Sequence, residues 1–214
     1  MSAKQPYHHV ELKQTLLDSA VALIAEVGPQ AFTLREVARR AGVSHNAPYR
    51  HFEDKDDLLA AVAAQGFEGL TKSMQRAMTK GRTAAERLRL AGRGYVQFAL
   101  GWPQHIFVMF DAPAAKPSRK VRPEYAGVAQ RAFQTLLDAI LAVQAEGGLP
   151  EGNPQAYAVV AWAGVHGLAK LAISGRLPFE ASQALGFADY VTRVLAEGMA
   201  NVPAPAISGG RRRG

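Results

Sequence analysis

Apolar residues recur along this chain at the 3.6-residue spacing of a half-buried helix, and no segment alternates apolar and polar residues long enough to predict a strand. From Glu11 the stripe runs through Leu12, Leu16, Leu17, Ala20, Leu23, Ile24 and Val27, and Gly28-Pro29 closes that helix. Thr33-Leu34-Arg35-Glu36 has the capping-box pattern, in which hydroxyl and carboxylate satisfy free backbone amides, and predicts a short helix from Leu34 to Arg40. Ala41-Gly42-Val43 supplies a tight turn, and Ser44 is a good N-cap for a second short helix reaching about His51. A long helix follows, capped by Asp54, with Asp56 and Asp57 where the helix dipole favours negative charge and with Leu58, Leu59, Val62, Phe67, Leu70 and Met74 on its apolar face.

Thr83-Ala84-Ala85-Glu86 repeats the capping pattern and opens a helix carrying Leu88, Tyr95 and Phe98 toward Trp102. Pro103 to Phe110 predicts a short helix, and Ala112 to Arg122, with two prolines and four basic residues, an exposed loop. Pro123 to Glu146 predicts a helix ending at Gly147-Gly148. Asn153-Pro154 caps another that ends near Gly175, and Phe179 to Met199 is the last. No internal repeat is evident.

Composition narrows the class. The chain has 214 residues, 48% hydrophobic and 20% charged, enough apolar surface for a buried core and too much for a disordered chain. It has no cysteine, which excludes a disulfide scaffold, a thiolate metal site and a cysteine nucleophile, and fits a cytoplasmic location. Met1 to Val10 has no apolar core of a secretory signal. Gly94 to Phe110 and Gly152 to Ala169 lack charge, but Gly, Pro, Gln and His interrupt them, so they predict buried or interfacial helices and no membrane partner. Histidines fall at 8, 9, 45, 51, 105 and 166 without metal-ligand spacing or a carboxylate constellation, and the Gly-x-Ser-x-Gly, P-loop and dinucleotide fingerprints are missing. No enzyme activity, cofactor or metal is therefore expected.

The net charge of +7 points toward nucleic acid only in bulk. Residues 1–60 hold seven basic and eight acidic side chains, whereas 61–125 hold eleven and four, and Arg211, Arg212 and Arg213 add a basic tail. A DNA-binding role for the N-terminal segment must therefore rest on which side chains are placed outward. Arg76, Lys80, Arg82, Arg87, Arg89 and Arg93 fit a solvated, partly paired face, or long-range steering toward DNA.

Two short helices joined by a glycine-containing turn and braced by an apolar helix make a helix-turn-helix, whose second short helix presents its N-terminal side chains to the major groove. Thr33-Leu34-Arg35-Glu36-Val37-Ala38-Arg39-Arg40-Ala41-Gly42-Val43-Ser44, followed by Tyr49-Arg50-His51-Phe52 and Lys55 with Leu58-Leu59, resembles the N-terminal domain of TetR-family transcriptional regulators over about Leu12 to Val62. Trp162-Ala163-Gly164-Val165-His166-Gly167-Leu168 is similar to the Trp-x-x-x-His-Gly signature of one TetR regulatory-domain class. The resemblance implies an all-α fold, a three-helix DNA-binding domain followed by a larger helical domain for effector binding and dimerisation. It also implies a DNA-contacting set of Thr33, Arg35, Ser44, His45, Asn46, Ala47, Tyr49, Arg50, His51 and Lys55. Tyr49, His51, Lys55 and Thr33 would meet phosphates, His45 and Asn46 base edges, and Arg50 either. Where many members carry Gly-Thr-Leu, this chain has Asn46-Ala47-Pro48; Pro48 lacks an amide proton and disfavours a helical Ala47, so the reading helix should start late or open with a distorted turn.

In the larger domain the family places Tyr95, Phe98, Trp102, Phe107, Phe110, Tyr125, Phe133 and Trp162 around an apolar cavity, although the same aromatics could simply fill a core. The expected effector contacts are Phe98, Trp102, Phe107, Phe110, Phe133, Trp162 and His166, the last equally suited to a hydrogen-bonded packing role. Ala158, Ala161, Gly164 and Gly167, with Leu185, Val191, Leu195 and Met199, form surfaces suited either to a homodimer interface or to internal packing. The expected organisation is a flexible arm 1–10, a DNA-binding domain 11–53, an effector and dimerisation domain 54–200 and a disordered tail 201–214. The expected partners are a double-stranded DNA operator, a small hydrophobic effector and a second copy of the chain. A helical DNA-binding dimer without an effector pocket is the alternative, and a small helical enzyme a remoter one.

Overall fold

The computed structural model describes residues 5–111 and 122–204; the expected exposed loop up to Val121, the first residues of the arm and most of the expected tail lie outside the described residues. The described residues form eight α-helices and no strand: α1 (Gln5–Val27), α2 (Leu34–Arg40), α3 (Lys55–Met78), α4 (Ala84–Gly101), α5 (Pro103–Phe110), α6 (Val128–Ala145), α7 (Pro154–Ile173) and α8 (Ala184–Asn201). Three-residue 3-10 turns lie at Pro48–Arg50, Pro123–Tyr125 and Ala181–Gln183.

The local signals account for most helix starts. The Thr33–Glu36 capping box is complete, the Thr33 amide donating to the Glu36 carboxylate at 2.7 Å and the Glu36 amide to the Thr33 hydroxyl at 3.3 Å. The Asp54 carboxylate accepts the Asp57 amide at 2.8 Å, Thr83 and Glu86 cap the approach to α4, and Asn153 accepts the Gln155 amide at 2.9 Å ahead of Pro154.

Three boundaries differ from expectation. α1 begins at Gln5 rather than Glu11, so the arm is helical from that point. α6 begins at Val128, because Ala126 is extended and separates it from the turn that Pro123 starts. Between Ser44 and His51 the structure has no α-helix, only a hydrogen-bonded turn followed by Pro48–Arg50.

The chain folds as two compact units, Met1–Phe67 with Trp102–Val128 and Glu68–Gly101 with Ala129–Gly214. The division falls inside α3, after Phe67, rather than at Glu53, and Pro103 begins the helix that returns the chain to the first unit. In the first unit Leu16, Leu17, Ala20 and Ile24 of α1, Leu34 and Val37 of α2, Phe52, and Leu58, Leu59 and Val62 of α3 share a core with Val108, Tyr125 and Val128. Each large apolar side chain so buried contributes roughly 1.5–3 kcal/mol, which is how a seven-residue α2 keeps a fixed place.

In the second unit α4 packs on α7 and α8, and these two on each other. A Cβ at Gly164 would fall on the Leu195 side chain, which would have to move to admit it. α7 is long and apolar enough to cross a membrane by length and composition; here its Tyr157, Ala158, Val165, Leu168 and Ala169 are buried in the packing.

Candidate functional site

The segment between α2 and α3 sorts its side chains sharply. Gly42 takes φ 69°, letting the chain turn so that the Val43 amide donates back to the Ala38 carbonyl at 3.0 Å. The Ala47 amide then donates to the Ser44 carbonyl at 2.9 Å, and the amides of His51 and Phe52 both donate to the Pro48 carbonyl at 2.9 Å. Flanked by these bonds, Ala47 holds φ −60° and ψ −41° in spite of the proline that follows it. Ala47, Pro48, His51 and Phe52 are buried, while Ser44, His45, Asn46, Tyr49 and Arg50 are exposed, as are Thr33 and Arg35 on the side of α2.

Two of the ten expected DNA contacts, Ala47 and His51, are therefore buried, and a third, Lys55, is partly exposed with its ammonium engaged. Ala47 is 7% exposed and His51 also 7%, both turned inward by the tight turn on Pro48. Lys55 donates to the Gln30 carbonyl at 2.8 Å and lies 4.6 Å above the Phe32 ring. Its pKa is lowered by burial, against the opposing field of Glu36.

A residue outside the motif closes this surface from behind. Arg122 donates to the His51 carbonyl at 2.9 Å and pairs with Asp57 on α3 at 3.4 Å and with Glu124 at 3.5 Å. Glu124 in turn meets Lys13 of α1 at 3.3 Å, and Lys13 sits 5.4 Å from the centre of the Tyr125 ring. The chain after the loop thus braces the end of the reading turn. The sequence pattern puts Arg122 at the end of an exposed loop and gives no sign of this role, because its partners lie 71 and 65 positions earlier. Also in this unit, His105 is buried, 3.3 Å from Gln65 and edge-on to Trp102; burial lowers its pKa, with Asp18 opposing.

The second unit contains an apolar cavity, partly open to solvent and lined by Met74 of α3, Leu88, Arg89, Ala91, Gly92 and Tyr95 of α4, Leu136 of α6, Ala161, Trp162 and Val165 of α7, and Thr192, Leu195, Ala196 and Met199 of α8. The hydroxyls at its wall are hydrogen-bonded within the protein. The Tyr95 hydroxyl lies 2.7 Å from His166 Nδ1 and also takes a hydrogen bond from the Trp162 side chain, and burial pushes its pKa up to about 12. The Thr192 hydroxyl donates to the Ala188 carbonyl at 2.8 Å. Trp162 and His166, one helical turn apart, thus both grip Tyr95, a structural reason for the Trp-x-x-x-His spacing.

Of the seven expected effector contacts only Trp162 lines this cavity. His166 stands behind Tyr95, Phe133 packs edge-on to Trp162 at 6.3 Å, and Phe98 is buried in the helix packing. Trp102, Phe107 and Phe110 belong to the first unit, where Trp102 and Phe107 are exposed and Phe110 meets Phe67 at 5.5 Å. Of the small and apolar residues suited either to a dimer interface or to internal packing, five pack internally: Ala158 is buried, Ala161, Leu195 and Met199 line the cavity, and Gly164 packs on Leu195. The apolar residues left outward are Val159, Val160 and Leu171 on α7 and Phe187, Tyr190 and Val194 on α8. Among the described residues no group of three or more His, Cys, Asp or Glu could hold a metal ion.

Residues 16–62 match the family described as bacterial regulatory proteins, tetR family, and residues 88–195 match the tetracyclin repressor-like C-terminal domain. The chain is 41% identical over 59 residues to the HTH-type transcriptional repressor Rv3405c of Mycobacterium tuberculosis, a match covering 28% of this chain and 31% of that protein. With the HTH-type transcriptional repressor Rv1474c of the same organism it shares 29% identity over 164 residues, covering 67% of this chain and 88% of that one. A solved structure of a protein of unknown function from Rhodococcus sp. RHA1 superposes with a TM-score of 0.76 at 31% identity, covering 92% of this chain and all of that one.

Proposed function

The chain belongs to the TetR family of bacterial regulatory proteins, and from that premise we propose that it is a homodimeric transcriptional repressor, released from a duplex DNA operator by a small apolar effector. The observation that carries this reading is the sorting of side chains on the turn from Ser44 to Arg50: the polar residues are outward, and the alanine and proline are held inward.

In this reading His45 and Asn46 meet base edges, the Asn46 amide pairing with adenine, while Thr33, Arg35, Ser44, Tyr49 and Arg50 approach phosphates and set the register. One such turn offers few contacts. A two-fold dimer doubles them over half-sites spaced by about one helical turn, ~34–36 Å. The outward residues Val159, Val160, Leu171, Phe187, Tyr190 and Val194 support the dimer contact, since they are the large apolar side chains that the α7–α8 packing leaves uncovered.

The cavity supports the effector. α3 contributes Asp57 to the brace of the reading turn and Met74 to the cavity wall, so a ligand that shifts α3 changes the placement of the turn. Coupling of this kind is typically ~1–3 kcal/mol, or ~5- to 150-fold in operator affinity. The test is selection of bound duplexes from random DNA, followed by titration at several salt concentrations. Salt-sensitive binding to paired half-sites, lost in the His45→Ala, Asn46→Ala double variant, is expected. Retention of full sequence selectivity by that variant would sink the assignment of the reading turn.

A further inference from the structure

The cavity differs chemically between its interior and its edge, and the inference drawn from that difference rests on its being the effector site. Inside, the Tyr95 hydroxyl is shared between His166 and Trp162, and the Thr192 hydroxyl is committed to the Ala188 carbonyl, with the Asp189 carbonyl 3.2 Å away. A polar group pushed into this interior would lose water and gain no comparable partner. The body of the ligand must therefore be apolar.

The edge is different. Arg89 is the one charged residue among those lining the cavity, and its side chain is partly exposed. Arg93, one turn further along α4, shares Asp189 of α8 with it. Arg93 meets one carboxylate oxygen and Arg89 the other, at 3.3 Å, and of the two arginines Arg89 lines the cavity. Glu86, one turn earlier on α4, accepts the Arg82 amide at 2.8 Å, and its charge also acts on Arg89 across one helical turn. Two guanidinium groups thus share one carboxylate, and a guanidinium carries five N–H donors in a fork that matches a carboxylate.

We propose that the cavity takes the apolar body of a molecule bearing one acidic group, and that Arg89 holds that group at the cavity edge while Arg93 retains Asp189. The effector class is then an amphiphilic monoanion, a carboxylic acid on a hydrocarbon body.

Calorimetric titration of the full-length protein tests this with matched probes: straight-chain carboxylates of six to ten carbons with the corresponding alcohols and amines, and naphthoate with naphthol. Carboxylates are expected to bind about tenfold or more tightly than the alcohols, and amines most weakly. Arg89→Gln should bring carboxylate affinity down to that of the alcohol and leave the alcohol within about twofold, which also shows that the variant is folded. Asp189→Asn should move the other way, strengthening carboxylate binding by releasing the fork. Equal affinity of acid and alcohol, or a preference that survives Arg89→Gln, overturns this assignment and leaves the apolar effector standing. Failure of every probe to bind overturns both.

Discussion

The two units use the same kind of amphipathic helix to opposite ends. In the first unit, the apolar faces of α1, α2 and α3 close on Phe32, Phe52 and each other, and the candidate function lies outside, on polar residues that the core holds still. In the second unit, α7 and α8 approach closely at Gly164 and α4 approaches both at Gly92, yet they leave space between Tyr95, Trp162 and Leu195, and the candidate function lies inside. Apolar periodicity therefore predicts which face of a helix is buried, but not whether the buried faces meet. The difference is set by side-chain size at the crossing points, which involve residues as far apart as Gly92 and Thr192.

The contrast can be tested first through stability. Phe52→Ala, at a fully buried site, should cost ~3–5 kcal/mol in urea unfolding and abolish operator binding, whereas Leu136→Ala, partly exposed and already facing empty space, should fall near the ~2 kcal/mol lower end for such truncations. The reverse order would mean that the cavity wall, not the first core, is the tightly packed region. Next in size, Asn46→Ala should lose ~1–3 kcal/mol of discrimination on the selected operator and little on unrelated duplex. Arg50→Ala should weaken both alike and lower the salt slope by about one phosphate; gel-shift titrations separate these outcomes.

Arg122→Gln removes the donor to the His51 carbonyl. A smaller loss is expected, ~1 kcal/mol because the Arg122 side chain is about one-third exposed, seen as a few-fold drop in operator affinity that Arg122→Lys partly restores. An unchanged affinity would leave the brace without a role in reading. The mildest effect concerns His105. Its folded pKa lies below its ordinary value because burial opposes the charge, so on acidification the unfolded chain takes up this proton first. Stability should be level above about pH 7 and decline as pH falls through the ordinary histidine range, near 6.5, and His105→Gln should flatten that decline in melting curves. A decline of the same size in the variant would assign it elsewhere.

How much was legible in the sequence divides along the same line. α2 and its turn could be read because the capping box and Gly42 act within a dozen residues of one another. Asn46-Ala47-Pro48 predicts a disturbed reading helix, and the structure goes further, replacing it with turns. What the sequence hid is set by distance. Tyr95 meets His166 across 71 positions, Arg122 meets His51 across 71, and neither pairing leaves a local pattern. The aromatic set is divided between the two units for a related reason: Pro103 starts a new helix that returns Phe107 and Phe110 to the first unit, and nothing in their spacing says so.

The first unit is built from two separated stretches of chain, and this has a consequence for the protein during its own synthesis. Val108, Tyr125 and Val128 belong to its core, so that core is unfinished when the helix-turn-helix emerges from the ribosome and stays so until residue 128 has emerged as well. By then all of α4 has also emerged, and Glu68–Gly101 must wait as a loop between two halves of a closing structure. A reading head cut at residue 53 or 67 and grafted onto another sensor would leave those core positions behind, so a working graft has to carry Trp102–Val128 as well.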